Sequence, residues 1–368
     1  AYLIRHFLEQ NQKPTGLLGT VEYIVGKNRY PSHLTTPSAI TLQKFLKEML
    51  RSKMKAAVME VSSHAIDQER CREIDFDAAV FTNLTQDHLD YHRSLENYAQ
   101  TKARLFASLK KGSLAIVNLD DPYAALMIEK SPARLMTYGL GPRADLRAEE
   151  ISVSTGGTEF SVLYQGRKER FFSALIGRFN VYNILAAAAV ALEAKIPLKK
   201  IKSALASFPQ VRGRLEKASV KKDFSVFIDY AHTDDALKKV LETLGELKQG
   251  RLITVFGCGG DRDQLKRPKM GRIAALLSDL CVLTSDNPRK EEPGAIIRQI
   301  LQGVAQENLE KCVVEEDRFE AIKKALFMAK KGDIVLIAGK GHESYQIFKD
   351  RRVAFDDRQT VEEICQIF

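Results

Sequence analysis

The chain has 368 residues, 45 % hydrophobic and 28 % charged, with a net charge of +9; this is a globular composition, too long for one ordinary domain and suited to two. No apolar run approaches the roughly 18 residues of a membrane span, and AYLIRHFLEQ lacks the basic start, apolar centre and small-residue cleavage site of a signal peptide. Lysines and arginines are scattered among acids and tryptophan is absent, which argues against nucleic-acid binding and leaves a solvated surface or a basic cleft for an acidic, phosphorylated substrate.

The chain opens inside a helical pattern. Leu3, Ile4, Phe7 and Leu8 share one face, with no capping residue before them. LLGTVEYIV, AAVMEVSS, DAAVFTNL and SLAIVNL read as strands, the later ones as near-continuous apolar runs of the kind found in parallel sheets covered on both faces. TLQKFLKEMLR and LENYAQTKARLFASL supply helices between them. From Asp145 to Ile176 the pattern alternates and is broken by Gly-Gly and Gln-Gly turns, which predicts antiparallel hairpins. An alanine-rich helix is expected to start near Asn183. FPQVRGRLE interrupts the pattern with Pro and Gly, so the domains are set at 1–211 and 212–368. Beyond it FSVFIDYAH, RLITVFGCGG, DLCVLTSDNPR, KCVVEED and DIVLIAGKGHE alternate with helical segments, predicting a second, doubly wound α/β domain. The unusual polar residues follow the apolar strands, at the carboxyl ends where open α/β sheets bind ligands.

Glu60 ends one such strand and suits a magnesium ion, or is a satisfied loop carboxylate. Asp87, His88, Asp90 and His92 crowd together without a zinc spacing, which favours one of them assisting magnesium. Lys102 lies on the apolar face marked by Leu95, Tyr98, Ala99, Leu105 and Phe106. A buried ammonium is costly; either its stem snorkels past the apolar face or its neutral amine takes up carbon dioxide and becomes a carboxylate-like metal ligand. Arg70 offers a planar fork to carboxylate or phosphate, or a surface salt bridge. Thr35 and Thr36 offer hydroxyls to phosphate, or cap the helix from Ala39. Arg262, Asp286, Asn287 and Arg289 offer matched charges to a zwitterionic amino acid, beside the Gly339-Lys340-Gly341-His342-Glu343 turn. The five cysteines, Cys71, Cys258, Cys281, Cys312 and Cys365, lack CxxC spacing, which argues against a disulfide framework or zinc site and for the cytoplasm.

MEVSSHA, FTNLTQDHLDYH, YAQTKARLF, GRFNVYN, GRLE, DYAH, FGCGGDRD, KRPKMG, DNPR, AGKGHE and DDR occur in this order. Together, over essentially the whole chain, they resemble the Mur ligase family of peptidoglycan synthesis. The resemblance implies a parallel-sheet, ATPase-like central α/β domain with a small antiparallel sheet, followed by a Rossmann-like C-terminal domain. It implies an ATP-dependent, amide-bond-forming ligase that passes through an acyl phosphate, in a cytoplasmic protein expected to be a monomer. It assigns magnesium to Glu60, His88 and Lys102, the last carrying a carboxyl group on its Nζ. It assigns UDP-N-acetylmuramoyl-L-alanyl-D-glutamate to Thr35, Thr36, Ser62, Gln68 and Arg70, and ATP to Asn183, Arg214 and Asp229. It assigns the incoming amino acid to Arg262, Asp286, Asn287, Pro288, Arg289, Gly339 and Glu343.

DNPR is similar to the signature of members that take meso-diaminopimelate, because Arg289 can pair a distal carboxylate that lysine lacks. A lysine-adding relative and folylpolyglutamate synthase are the neighbouring readings. The family's phosphate-binding loop, a GTxGKT segment, and its N-terminal uridine-binding domain would precede Ala1, so the resemblance implies that these 368 residues alone bind substrates without turnover. Asp234 stands where the family usually has proline, and a local loop change is expected there.

Overall fold

The computed structural model describes residues 1–85, 89–349 and 351–367. It divides into two compact units, Ala1–Pro209 and Gln210–Phe368.

The first unit begins with α1 (Tyr2–Glu9), whose Leu3, Phe7 and Leu8 are buried. The segment LLGTVEYIV, expected as one strand, is two. β1 (Thr15–Leu18) and β2 (Glu22–Val25) pair antiparallel, and β2 pairs with β3 (Asn28–Pro31). The break falls at Gly19 and Thr20, where a Cβ on Gly19 would meet the Glu60 carboxylate at 3.0 Å. After α2 (Ala39–Arg51), β4 (Ala56–Met59) adds parallel to β1 and completes a four-stranded sheet in the order β3-β2-β1-β4. Ser38, rather than Thr35 or Thr36, is the N-cap residue of α2. The short α3 (Ser63–Asp67) follows and packs against α5 (Leu95–Ala107), which comes after β5 (Ala78–Phe81) and α4 (Leu89–His92).

β5 runs parallel to β6 (Leu114–Asn118); α6 (Ala124–Glu129) then leads to β7 (Arg134–Gly139), also parallel. The hairpin strands β8 (Leu146–Ser154), β9 (Gly157–Tyr164) and β10 (Arg167–Ser173) continue this same sheet, in the order β10-β9-β8-β7-β6-β5. The alanine-rich helix α7 spans Arg178–Glu193, one turn and more ahead of the expected start at Asn183. The chain enters it through Gly177 at φ +100, a conformation that side chains resist. Its nine buried residues, five of them alanine, show why the segment is so poor in large side chains: it is covered on most sides, and α1 is one of its neighbours. α8 (Leu198–Ala206) closes the unit against β10.

The second unit is built on one six-stranded sheet in the order β11-β12-β16-β13-β14-β15. The strands are β11 (Glu216–Lys217), β12 (Ser225–Asp229), β13 (Leu252–Phe256), β14 (Leu280–Leu283), β15 (Cys312–Val314) and β16 (Ile334–Ala338). All pair in parallel except β11 with β12. The helices α9 (Asp234–Leu247), α10 (Lys266–Leu277) and α11 (Pro293–Leu301) pack on one another in sequence. α12 (Arg318–Met328) and α13 (Asp357–Ile367) form a second pair, and with Val226, Ile228, Val255, Val282 and Ile337 they build a continuous apolar core. A two-stranded ribbon, β17 (Tyr345–Phe348) and β18 (Arg351–Ala354), stands beyond β16.

Asp234 lies at the first position of α9 rather than in a loop. Thr233 caps that helix by accepting from the Ala236 N–H at 3.3 Å, and Asp234 and Asp235 occupy its first turn. Proline and acidic residues are both favoured there, the first for its fixed φ and the second for the helix dipole.

Candidate functional site

In the first unit, one polar cluster gathers around the end of β4. The Glu60 carboxylate accepts from the Thr20 N–H at 3.0 Å and from the Thr20 hydroxyl at 2.6 Å. The Thr20 hydroxyl also meets that of Thr35 at 3.1 Å. Thr36 is fully buried; its hydroxyl donates to the Glu60 carbonyl at 2.8 Å and accepts from the Ser62 N–H at 2.9 Å. Arg70 donates to the Thr36 carbonyl at 2.9 Å, and its Nε and Nη2 both reach the Gln68 side-chain oxygen. The Ser62 hydroxyl caps α3 by accepting from the Ala65 N–H. Glu60, Thr35, Thr36, Ser62, Gln68 and Arg70 are therefore one connected constellation, joined by Thr20. The sequence reading missed Thr20 because it placed that residue mid-strand; the Gly-Thr pair was the available signal for a turn.

Lys102 lies on α5 with its Nζ 4.9 Å from the centre of the Tyr98 ring. It is half-buried rather than sealed in the apolar face. Tyr98 stacks on His92, whose Nε2 is 2.8 Å from the Ser63 hydroxyl. Because α3 packs on α5, this line of rings runs beside the helix that follows Glu60. The hydroxyl and carboxylate oxygens around Glu60 are hard donors of the type magnesium prefers. His88, the other candidate ligand, falls outside the described residues. Asn183 is exposed on α7 and donates to the Asn180 side-chain oxygen at 3.1 Å.

In the second unit the candidates cluster at the carboxyl ends of β12, β14 and β16. Asp229 accepts from the Leu215 N–H at 2.5 Å and from the Ala231 N–H at 2.8 Å. Burial pushes its carboxyl up to about 6, against those two hydrogen bonds and the Arg214 guanidinium. Arg214 lies 5.5 Å from the Tyr230 ring centre. The GRLE turn carrying Arg214 is tied down from the late DDR segment. Arg358 pairs Glu216 at 2.7 Å, Arg212 pairs Asp356, and Glu216 in turn accepts from the Gly213 N–H.

Asn287 organises the amino-acid candidates. Its Nδ2 donates to Glu343 at 2.8 Å, while its Oδ1 accepts from the Ile347 N–H at 3.0 Å and from Lys340 Nζ at 3.2 Å. Lys340, fully buried, also reaches Glu343 at 3.1 Å. Gly339 has φ +108, and a Cβ there would stand 2.7 Å from the Asp286 carboxylate. Arg289 takes a left-handed backbone at φ +53; its Nη1 donates to the Gly260 carbonyl at 2.8 Å and its N–H to the Ile347 carbonyl. With Pro288, Glu291, Pro293, Phe348 and Arg351 it lines a cleft of about 440 Å³. Arg262 is exposed on the neighbouring loop.

Two buried arginines that sequence reasoning missed hold these loops. Arg267 spans Glu291, Gln299 and the Gly259 carbonyl. Arg318 joins Asp357 to the carbonyls of Ser285 and Ala338. Both sit in the first turn of their helices, α10 and α12, where an arginine in the sequence reads as a solvated residue.

The Mur ligase middle domain matches residues 1–191, and the Mur ligase glutamate ligase domain matches residues 213–341. The chain is 47 % identical to the UDP-N-acetylmuramoyl-L-alanyl-D-glutamate–2,6-diaminopimelate ligase of Caldanaerobacter subterraneus, over 99 % of this chain and 74 % of that protein. It is 44 % identical to the corresponding ligase 1 of Clostridium acetobutylicum, over 99 % of this chain and 75 % of that protein. Among solved structures, one of a UDP-N-acetylmuramoyl-L-alanyl-D-glutamate–2,6-diaminopimelate ligase superposes with a TM-score of 0.72 at 37 % identity, covering 99 % of this chain and 75 % of that one.

Proposed function

The chain belongs to the Mur ligase family, and from that premise we propose that it adds meso-diaminopimelate to UDP-N-acetylmuramoyl-L-alanyl-D-glutamate at the expense of ATP. The observation that carries the assignment is the 47 % identity to a diaminopimelate ligase along nearly the whole chain. Arg289 is the residue that gives it chemical sense. Its guanidinium borders a cleft and is steadied by the Gly260 carbonyl, so its remaining donors can pair a second carboxylate on the incoming amino acid. Asp286, with the glycine backbone of Gly339 against it, and Glu343, held by Asn287 and Lys340, supply negative charge for ammonium groups.

The reaction has two displacements. The substrate's glutamyl carboxylate attacks the γ-phosphorus of ATP, an oxygen–phosphorus bond forms, and ADP leaves. The amine of diaminopimelate then attacks the acyl carbon, and the tetrahedral intermediate collapses with loss of phosphate and a proton. Arg214, Asp229 and Asn183 serve ATP. Arg70, with Gln68 against its fork, and Thr35 serve the anionic UDP-linked substrate, while Thr36 and Ser62 fix the backbone that presents them. Magnesium, which the family uses, neutralises phosphate oxygens. Glu60, steadied by Thr20, would hold it as a carboxylate ligand, and Lys102 would add a second with a carboxyl group on its Nζ; the hard oxygens around Glu60 and the packing of α3 on α5 support this pairing. No helix among the described residues is long and apolar enough to cross a membrane, and a nucleotide-linked substrate with five free thiols fits the cytoplasm.

Phosphate release from ATP, assayed in the whole protein, tests this reading. Release that needs both the UDP-linked dipeptide and diaminopimelate is expected. Release that proceeds equally without either would sink it.

A further inference from the structure

Two cysteines that lie 31 residues apart in sequence, Cys281 and Cys312, are register partners on the adjacent parallel strands β14 and β15. Register partners on parallel strands point to the same face of a sheet, with their Cα atoms roughly 4.8 Å apart. That lies within the roughly 4.4–6.8 Å Cα separation that disulfides span. Val282 and Val313, the next residue on each strand, pack into the core beneath α12, so the two thiols share the opposite face. The Cys281 thiol is fully buried, next to Cys312 on the neighbouring strand. Cys312 is partly exposed, donates to the Asn308 carbonyl at 3.8 Å, and belongs to the edge strand of the sheet. None of the other thiols has this arrangement; Cys258, for instance, is buried against the Met270 sulfur at 3.7 Å.

We propose that Cys281 and Cys312 form a thiol–disulfide exchange site, in which a low-molecular-weight disulfide converts the pair to an intrachain Cys281–Cys312 disulfide. Exposure assigns the roles. Cys312 attacks first: its thiolate forms a sulfur–sulfur bond to one half of the small disulfide and expels the other half as a thiolate. Cys281 then loses its proton and attacks the Cys312 sulfur, and the second half leaves as a thiolate. The protein loses two electrons and two protons, and one small disulfide is reduced to two thiols. The neighbouring Cys281 holds the Cys312 thiol below its ordinary value, while Cys312 and burial raise that of Cys281, the order that attack by Cys312 requires. A three-residue edge strand exposes the pair at small cost by local opening. The site is separate from the ligand cluster, since Cys281 lies in β14 before the chain reaches Asp286.

The test is oxidation of the folded protein with excess oxidised glutathione, followed by alkylation, intact mass and peptide mapping. The expected product is lighter by two hydrogens and yields one cross-linked peptide joining Cys281 to Cys312. The Cys281→Ser variant is expected to stop at a single glutathionyl group on Cys312, and Cys312→Ser to leave Cys281 unmodified. A wild-type protein that keeps the glutathionyl group on Cys312 without a cross-link would overturn the proposal. So would one whose Cys71 or Cys365 reacts while this pair stays reduced. If either variant fails to fold, the wild-type cross-linked peptide decides alone.

Discussion

Arg318 grips Asp357 through two parallel hydrogen bonds, Nε to Oδ1 and Nη2 to Oδ2, each 2.8 Å long, and neither side chain reaches solvent. The same guanidinium donates to the Ser285 carbonyl at 3.3 Å and the Ala338 carbonyl at 3.1 Å. Those carbonyls immediately precede Asp286 and Gly339, so one buried ion pair sets the spacing of two ligand loops. Removing one member leaves the other charged and unpaired in the interior, which costs about 3–5 kcal/mol. Arg318→Met is expected to lose stability on that scale in denaturant unfolding, and Arg318→Met with Asp357→Leu to lose less than the two single changes added together. Additive losses below about 1 kcal/mol each would show that the pair does not act as a unit.

Gly339 combines φ +108 with a Cβ direction that ends 2.7 Å from Asp286 Oδ2. Alanine there meets both backbone strain, of about 1–3 kcal/mol, and the carboxylate. Gly339→Ala should keep the fold by circular dichroism yet raise KM for the amino acid about tenfold or more, with KM for the UDP-linked substrate unchanged. Equal effects on both substrates would point to a general loss of structure.

The Asp229 carboxyl titrates near 6 because burial disfavours its charge. The folded state therefore holds a proton that the unfolded state, with its ordinary value of 3.8, releases earlier. Stability from this group is present below about pH 4 and is lost as pH rises to about 6, by about 3 kcal/mol in all. Carbon-13 NMR of labelled aspartate should find one carboxyl with a midpoint near 6. A midpoint at or below 4 would contradict the burial argument.

Thr36 places its hydroxyl between the Glu60 carbonyl and the Ser62 N–H, fully buried. Thr36→Val keeps the shape and orphans both partners, at a cost of about 1–3 kcal/mol. Thermal unfolding should fall accordingly, with weaker binding of the UDP-linked substrate by calorimetry. An unchanged transition would mean that water replaces the hydroxyl.

Much of this was legible in the residues and some was not. The strands of the second unit stand out because parallel strands buried on both faces read as unbroken apolar runs, and Asp229, Asp286 and Gly339 fall at their ends for the same reason. The start of α7 was misplaced because Arg178 and Asn180 disguise its first turn, and the β1–β2 turn was hidden because Gly19 and Thr20 are flanked by strand formers. Side-chain partners across long separations left no local trace. Asn287 with Glu343, Arg318 with Asp357, and Cys281 with Cys312 meet only through the crossovers that order the sheet.

The most direct measurement offers the whole protein ATP, the UDP-linked dipeptide and equal concentrations of meso-diaminopimelate and L-lysine, and reads the product by mass spectrometry. The account predicts the diaminopimelate tripeptide almost alone, and an Arg289→Ala variant that loses about a hundredfold in kcat/KM for diaminopimelate. Lysine in the wild-type product, or an Arg289→Ala variant that still selects diaminopimelate, would contradict it.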